Sequence, residues 1–174
     1  DTISRIDLRT ISFVTIDGED AKDFDDAVYA EQSSQKDEWR ILVSIADVSH
    51  FVKVNSYIDK EARHRGNSVY LPNYVIPMLP EELSNNLCSL KPNLDRACLT
   101  VEIILDKNGL KKSHSFYRSI INSKKRLTYN EVEHVINNEF VDQNVKPDLL
   151  KVIKSLHDVY KILDKIREKR GALN

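Results

Sequence analysis

Ser12-Phe13-Val14-Thr15-Ile16-Asp17-Gly18-Glu19-Asp20-Ala21-Lys22-Asp23-Phe24-Asp25-Asp26-Ala27-Val28-Tyr29-Ala30-Glu31 is the stretch on which the reading of the fold turns. Its first six residues alternate and are rich in β-formers, which predicts a strand ending in a carboxylate. Ala27 to Glu31 reads as the next strand. From Asp17 to Asp26, six carboxylates fall within ten residues, offset only by Lys22. So short a connection brings the two strand ends together, and Phe24 with Ala27-Val28 would anchor it against a core. Two carboxylates about 4 Å apart cost on the order of 4 kcal/mol at an effective dielectric of 20. A compact arrangement therefore needs protonation, distance or a cation. Hard oxygen donors suit Mg²⁺, which takes one or two carboxylates and keeps waters for a phosphate-bearing substrate. Spacing leaves two readings open, a metal site and a solvated acidic loop, because charge runs commonly face water.

Competing chemistries are poorly served. In an EF-hand register starting at Asp17, position 5 is Ala21, position 6 is Lys22 rather than Gly, and position 12 is Val28 rather than Glu. The chain contains no GxxxxGK[ST], HExxH or GxSxG pattern. His50, His64, His114, His134 and His157 are scattered without a ligand spacing.

Outward from the acidic stretch, Trp39 to Ala46 reads as a third strand, joined to the second by a hairpin loop over Gln32 to Glu38. Leu99 to Leu105 and Lys112 to Ile121 form another hairpin, turning at Asp106-Lys107-Asn108-Gly109, where Asn-Gly supplies positive φ. Ser56 caps a short helix to Arg65 with Gly66 as its stop. Pro72, Pro77, Pro80 and Pro92 mark an irregular loop around a short turn at Glu81-Glu82-Leu83. Thr128 caps a helix to about Asn137, with Glu131 completing a capping box. A long helix from about Pro147 to Arg170 carries the stripe Leu149, Ile153, Leu156, Tyr160 and Leu163, and Gly171 follows where a C′ glycine belongs. The expected fold is mixed α/β (α+β), a partly barrel-like mixed sheet of about five or six strands with flanking helices and a long C-terminal helix.

The 174 residues suffice for one domain with a core. Charged residues make up 30% and hydrophobic ones 41%, a globular balance. No apolar run approaches the ~20 residues of a membrane span, so no membrane partner is expected. Two cysteines, Cys88 and Cys98, make no disulfide framework and no zinc pattern; buried free thiols in a reducing, cytoplasmic setting are expected. The net charge of −1 advertises no basic field for nucleic acid. Any RNA binding must be local.

Four ordered stretches carry a resemblance: Thr15 to Val28, Val43-Ser44-Ile45-Ala46-Asp47-Val48-Ser49, Arg65-Gly66-Asn67-Ser68-Val69-Tyr70-Leu71-Pro72, and Ile76 to Leu90. Together they resemble the catalytic domain of the ribonuclease II / ribonuclease R family, in detail closer to ribonuclease R. The resemblance implies processive 3′-to-5′ hydrolysis of single-stranded RNA to nucleoside 5′-monophosphates. It places the family's four signature aspartates at Asp17, Asp23, Asp25 and Asp26. It further implies Asp17 and Asp26 as principal Mg²⁺ ligands, with Mn²⁺ as a substitute, Asp23 as a supporting ligand, and Asp25 as the residue whose loss stops hydrolysis while sparing RNA binding. Tyr70 falls on the tyrosine that stacks on the 3′-terminal base. Asp47 and Asn85-Asn86 are expected either to shape the site or contact ribose, or only to bond within their loops. The runs Lys111-Lys112 and Lys124-Lys125-Arg126 are expected either on phosphate or in solvent, and the Lys165 to Arg170 cluster at the helix dipole. No small organic cofactor is expected.

The family's catalytic domain is longer and flanked by OB-type modules, so residues 1–174 are expected to be the N-terminal portion of one such domain. As an isolated chain it is expected to be inactive and to self-associate through an uncovered face. The alternatives are a catalytically incompetent fold that binds metal or RNA weakly, and a Mg²⁺ phosphoesterase acting on small molecules.

Overall fold

The computed structural model describes residues 4–33, 37–72, 74–137 and 146–172. In chain order its elements are β1 (Ile6–Asp7), β2 (Val14–Asp17), β3 (Asp26–Ser33), β4 (Glu38–Ala46), α1 (Val48–Phe51), α2 (Tyr57–Arg65), β5 (Val69–Leu71), β6 (Tyr74–Ile76), a π-helical turn (Leu83–Leu87), β7 (Asp95–Asp106), β8 (Lys111–Asn122), β9 (Lys125–Thr128), α3 (Tyr129–Ile136) and α4 (Pro147–Lys169). Residues 34–36 of the expected β3–β4 loop lie outside the described residues.

One seven-stranded sheet runs in the order β1-β8-β7-β4-β3-β2-β9. Its inner pairs are antiparallel, and the outer pairs β1–β8 and β2–β9 are parallel. That is more than the expected five or six strands. The two additions, β1 and β9, are two and four residues long, too short to show an alternation. They exist because β8 and β2 each offer an otherwise unpaired edge. A second difference lies in the proline-marked stretch, where β5 and β6 form a separate antiparallel hairpin. Pro72 and Pro77 lie just past the ends of these strands rather than inside them, so no ladder bond is lost.

Both faces of β4 are covered along most of its length, while Ile45 at its end and the neighbouring Leu99 of β7 stay exposed. Along β4, Leu42 and Ala46 join Phe13, Ala27, Leu90, Cys98 and Ile121 on one side. Trp39 and Ile41 join Ala30, Leu105 and Val159 on the other. This two-sided burial explains the unbroken apolar run Ile41-Leu42-Val43. Between β4, β7 and β8, the buried hydroxyls of Ser44, Thr100 and Ser119 link in a row, 2.7 and 2.6 Å apart.

Helix ends follow local chemistry. The Ser56 side chain accepts from the Asp59 amide, and Gly66 closes α2 at φ 79°. Thr128 and Glu131 form the full capping box of α3. In α4 the buried positions are Leu149, Val152, Ile153 and Val159, whereas Tyr160 and Leu163 are exposed. The seam is thus rotated from the expected stripe, because the helix crosses β3 and its Ile162 and Ile166 reach the tip of the β7–β8 hairpin. There Gly109, at φ 83°, leaves no room for a side chain. No helix among the described residues is long and apolar enough to cross a membrane.

Candidate active site

β2 delivers Asp17 and β3 begins at Asp26, so the acidic connection leaves one strand end and returns to its antiparallel neighbour. Five attachments hold it. Phe24 is buried in the core, as its apolar character predicts. The Ser89 hydroxyl donates to the Lys22 carbonyl at 2.8 Å and accepts the Phe24 amide at 3.2 Å. The Leu90 amide donates to the Phe24 carbonyl at 2.8 Å, and the Ala46 amide to the Asp25 carbonyl at 2.9 Å. From β9, the Arg126 guanidinium donates to the carbonyls of Gly18 and Glu19 at 2.6 and 2.7 Å. Its charge also lies 5.7 Å from the Phe24 ring centre, in cation–π range.

The backbone of the acidic connection is therefore held in place, while the side chains of Glu19, Asp20, Asp25 and Asp26 stay exposed. Sequence reasoning placed Arg126 in a basic run on phosphate or in solvent, and the structure corrects this. Lys112 pairs with Glu38, Lys124 caps the Arg9 carbonyl, and Lys125 faces Glu131. Arg126 grips the acidic backbone. Nothing local signals that role, because the partner carbonyls are 108 and 107 residues away.

The aspartates feel one another. Burial, then the charges of Asp26 and Asp23, push the Asp17 carboxyl above its usual value, against the pull of Arg126. Asp25 keeps solvent access, yet the surrounding chain partly desolvates its carboxyl. That desolvation, then Asp23, Asp26 and Asp17, raise it too. The expected close convergence is not reached in full: among the described residues, no three Asp, Glu, His or Cys side chains form a ligating cluster. The aspartates are coupled through their charges rather than gathered into a closed ligand shell. As a donor set they still fit a hard divalent cation of the Mg²⁺ type, which takes one or two carboxylates and would relieve the repulsion that raises Asp17 and Asp25.

Tyr70, on the exposed β5–β6 hairpin, donates its hydroxyl to Asp23 Oδ2 at 3.2 Å. The Asp23 charge holds its phenol above the usual value. Tyr70 and Asp23 line one cleft of about 570 Å³ with Asp20, Tyr74, Ser84 and Asn85. Asn85 thus faces the cleft, while the Asn86 carbonyl accepts from Arg96. Asp47 is buried. It takes Arg5 at 2.7 Å, Arg118 at 2.8 Å and the Ser49 hydroxyl at 2.6 Å. Burial alone would raise its carboxyl, but Ser49, Arg5 and Arg118 together hold it below the usual range. Its bonds are those of a structural ion network.

The RNB domain family matches residues 5–174. Ribonuclease R of Escherichia coli (strain K12) is 48% identical over 170 residues, covering 98% of this chain and 21% of that protein. Among solved structures, Mycoplasma genitalium RNase R in complex with double-stranded RNA superposes with a TM-score of 0.92 at 38% identity, over 98% of this chain and 30% of that one. The complex of the same protein with ribose methylated single-stranded RNA gives the same TM-score and identity, over 26% of that chain. This chain spans about a fifth of the length of the curated relative. With a family match over nearly its whole length, and a fold shared at that level, the chain belongs to the RNB domain family.

Proposed function

We propose that this chain is the N-terminal, metal-bearing portion of the catalytic domain of a 3′-to-5′ exoribonuclease that hydrolyses single-stranded RNA to nucleoside 5′-monophosphates. The similarity to ribonuclease R and to RNase R–RNA complexes supports the substrate class. The single observation that carries the site is the pinned acidic connection with Tyr70 bonded to it at Asp23. An aromatic face joined to a carboxylate cluster suits an enzyme that must hold any base while cleaving the adjacent phosphodiester.

In this reading Asp17 and Asp26 hold Mg²⁺ (or Mn²⁺), with Asp23 in support. When bound, the ion supplies charge neutralisation at the scissile phosphate and a more acidic water. Asp25 orients the attacking water and accepts its proton. Tyr70 stacks on the 3′-terminal base, a contact indifferent to sequence. Two buried free thiols, Cys88 and Cys98, support a reducing cytoplasm. In isolation the chain lacks most of its relatives' length, so we expect it to be inactive. Exposed apolar side chains such as Phe116 and Leu99 support self-association.

The test is Asp25→Asn in the full-length protein that contains this chain, assayed on 3′-tailed RNA with Mg²⁺. Hydrolysis is expected to vanish while RNA affinity is retained. Retained turnover would remove Asp25 from its role, and an intact protein that cleaves only small phosphoesters would replace the RNase reading.

A further inference from the structure

The two peptide groups that flank Asp23 are held by one side chain. The Lys22 carbonyl belongs to the peptide entering Asp23, and the Phe24 amide to the peptide leaving it. Both bond to the hydroxyl of Ser89, one as acceptor and one as donor. A serine hydroxyl offers one proton and two lone pairs, and here the proton and a lone pair both serve the backbone of Asp23. The neighbouring Leu90 amide extends the grip by bonding the Phe24 carbonyl, on the peptide entering Asp25.

Ser89 is itself immobilised. It has no solvent exposure, and its carbonyl accepts the Arg96 guanidinium at 2.8 Å from β7. The same guanidinium reaches the Asn86 carbonyl at 3.1 Å. Just before Ser89, the Cys88 amide closes the π-helical turn on the Leu83 carbonyl at 2.8 Å. The grip on Asp23 thus runs from the central sheet through Arg96 and Ser89, across 65 to 67 residues of sequence.

We propose that Ser89 is a positioning residue for Asp23: its hydroxyl sets where the Asp23 carboxylate stands relative to Tyr70 and the other aspartates. The proposal rests on the reading of Asp23 as a supporting ligand for a divalent cation. Residues that orient a ligand from behind typically change metal affinity by about 10–100-fold when lost.

The experiment measures Mn²⁺ binding by electron paramagnetic resonance in the full-length protein, alongside kcat and KM for a 3′-tailed RNA. Ser89→Ala is expected to weaken Mn²⁺ binding about tenfold and to lower kcat with KM for RNA unchanged. Ser89→Thr, which keeps the hydroxyl, is expected to restore both. Native Mn²⁺ affinity in a folded Ser89→Ala variant overturns the proposal, as does failure of the threonine to rescue while circular dichroism shows a native fold. If the alanine variant does not fold, Ser89→Cys replaces it: weakened Mn²⁺ binding supports the proposal and unchanged binding overturns it. Asp23→Asn separates the two levels. If it leaves Mn²⁺ binding intact, the ligand reading fails and Ser89 falls with it; if it weakens binding while Ser89→Ala does not, only the positioning role fails.

Discussion

The hydroxyl of Tyr70 and the carboxylate of Asp23 are 47 residues apart in sequence and 3.2 Å apart in space. That bond joins the exposed β5–β6 hairpin to the acidic connection, two segments that share no strand pairing. It makes one site of an aromatic surface and a charge cluster.

If Tyr70 stacks on a base, the ring matters more than the hydroxyl. Tyr70→Ala is expected to cost roughly 1–3 kcal/mol of RNA affinity, and Tyr70→Phe much less. Titration of labelled single-stranded RNA against each full-length variant decides it. Equal affinities for wild type and Tyr70→Ala would remove the stacking role.

Arg126 supplies charge-assisted bonds to two carbonyls of the acidic connection. Bonds to a charged group are worth about 1.5–3 kcal/mol, less here because both are exposed and the Gly18 carbonyl also accepts the Ala21 amide. Arg126→Met should therefore loosen residues 18–24 and accelerate amide exchange there, while the β7–β8 hairpin exchanges as before. Uniform acceleration throughout the chain would mean that Arg126 serves global stability instead.

Asp47 predicts a pH dependence. Its carboxyl is held below the usual value of 3.8 in the folded chain. The stability it contributes is thus present above about 3.8 and is lost as pH falls through the lower, folded value. Asp47→Asn removes the buried carboxylate that Arg5 and Arg118 share and should cost about 3 kcal/mol at pH 7. The gap between variant and wild type should narrow on acidification. Urea unfolding at pH 7 and pH 3 measures it, and a gap that stays constant would argue against the ion network. Asp17 and Asp25 act with the opposite sign: their raised carboxyls favour the folded state at low pH and lose that contribution as pH rises.

Gly109 and Gly171 both adopt positive φ, 83° and 87°, but only at Gly109 would a Cβ meet other atoms, Ile162 Cγ2 at 2.5 Å and Ile166 Cδ1 at 2.7 Å. Backbone strain costs an alanine roughly 1–2 kcal/mol at either position, and overpacking adds about 1–3 kcal/mol at Gly109 alone. Denaturant unfolding should rank Gly109→Ala clearly below Gly171→Ala. Equal costs would show that α4 yields to the hairpin tip.

What the residues determined on their own was whatever depends on neighbours a few positions away. The caps at Ser56 and Thr128, the turn at Gly109, the stop at Gly171 and the acidic connection between two strands are all local arrangements, and all are legible in the order of residues. The resemblance that placed Asp17, Asp23, Asp25, Asp26 and Tyr70 is equally linear. Tertiary structure alone decided the rest. It chose Arg126 over its basic neighbours as the grip on Gly18 and Glu19, tied Asp47 into a buried ion network, and set Ser89 behind Asp23. It also turned the seam of α4 toward Val152 and Val159, and recruited β1 and β9 to free sheet edges. Each depends on partners at least 42 residues distant, or on which face a neighbouring element covers. Hydrogen bonding and burial act through space, and one chain's periodicity records only which side is apolar, not what will lie against it.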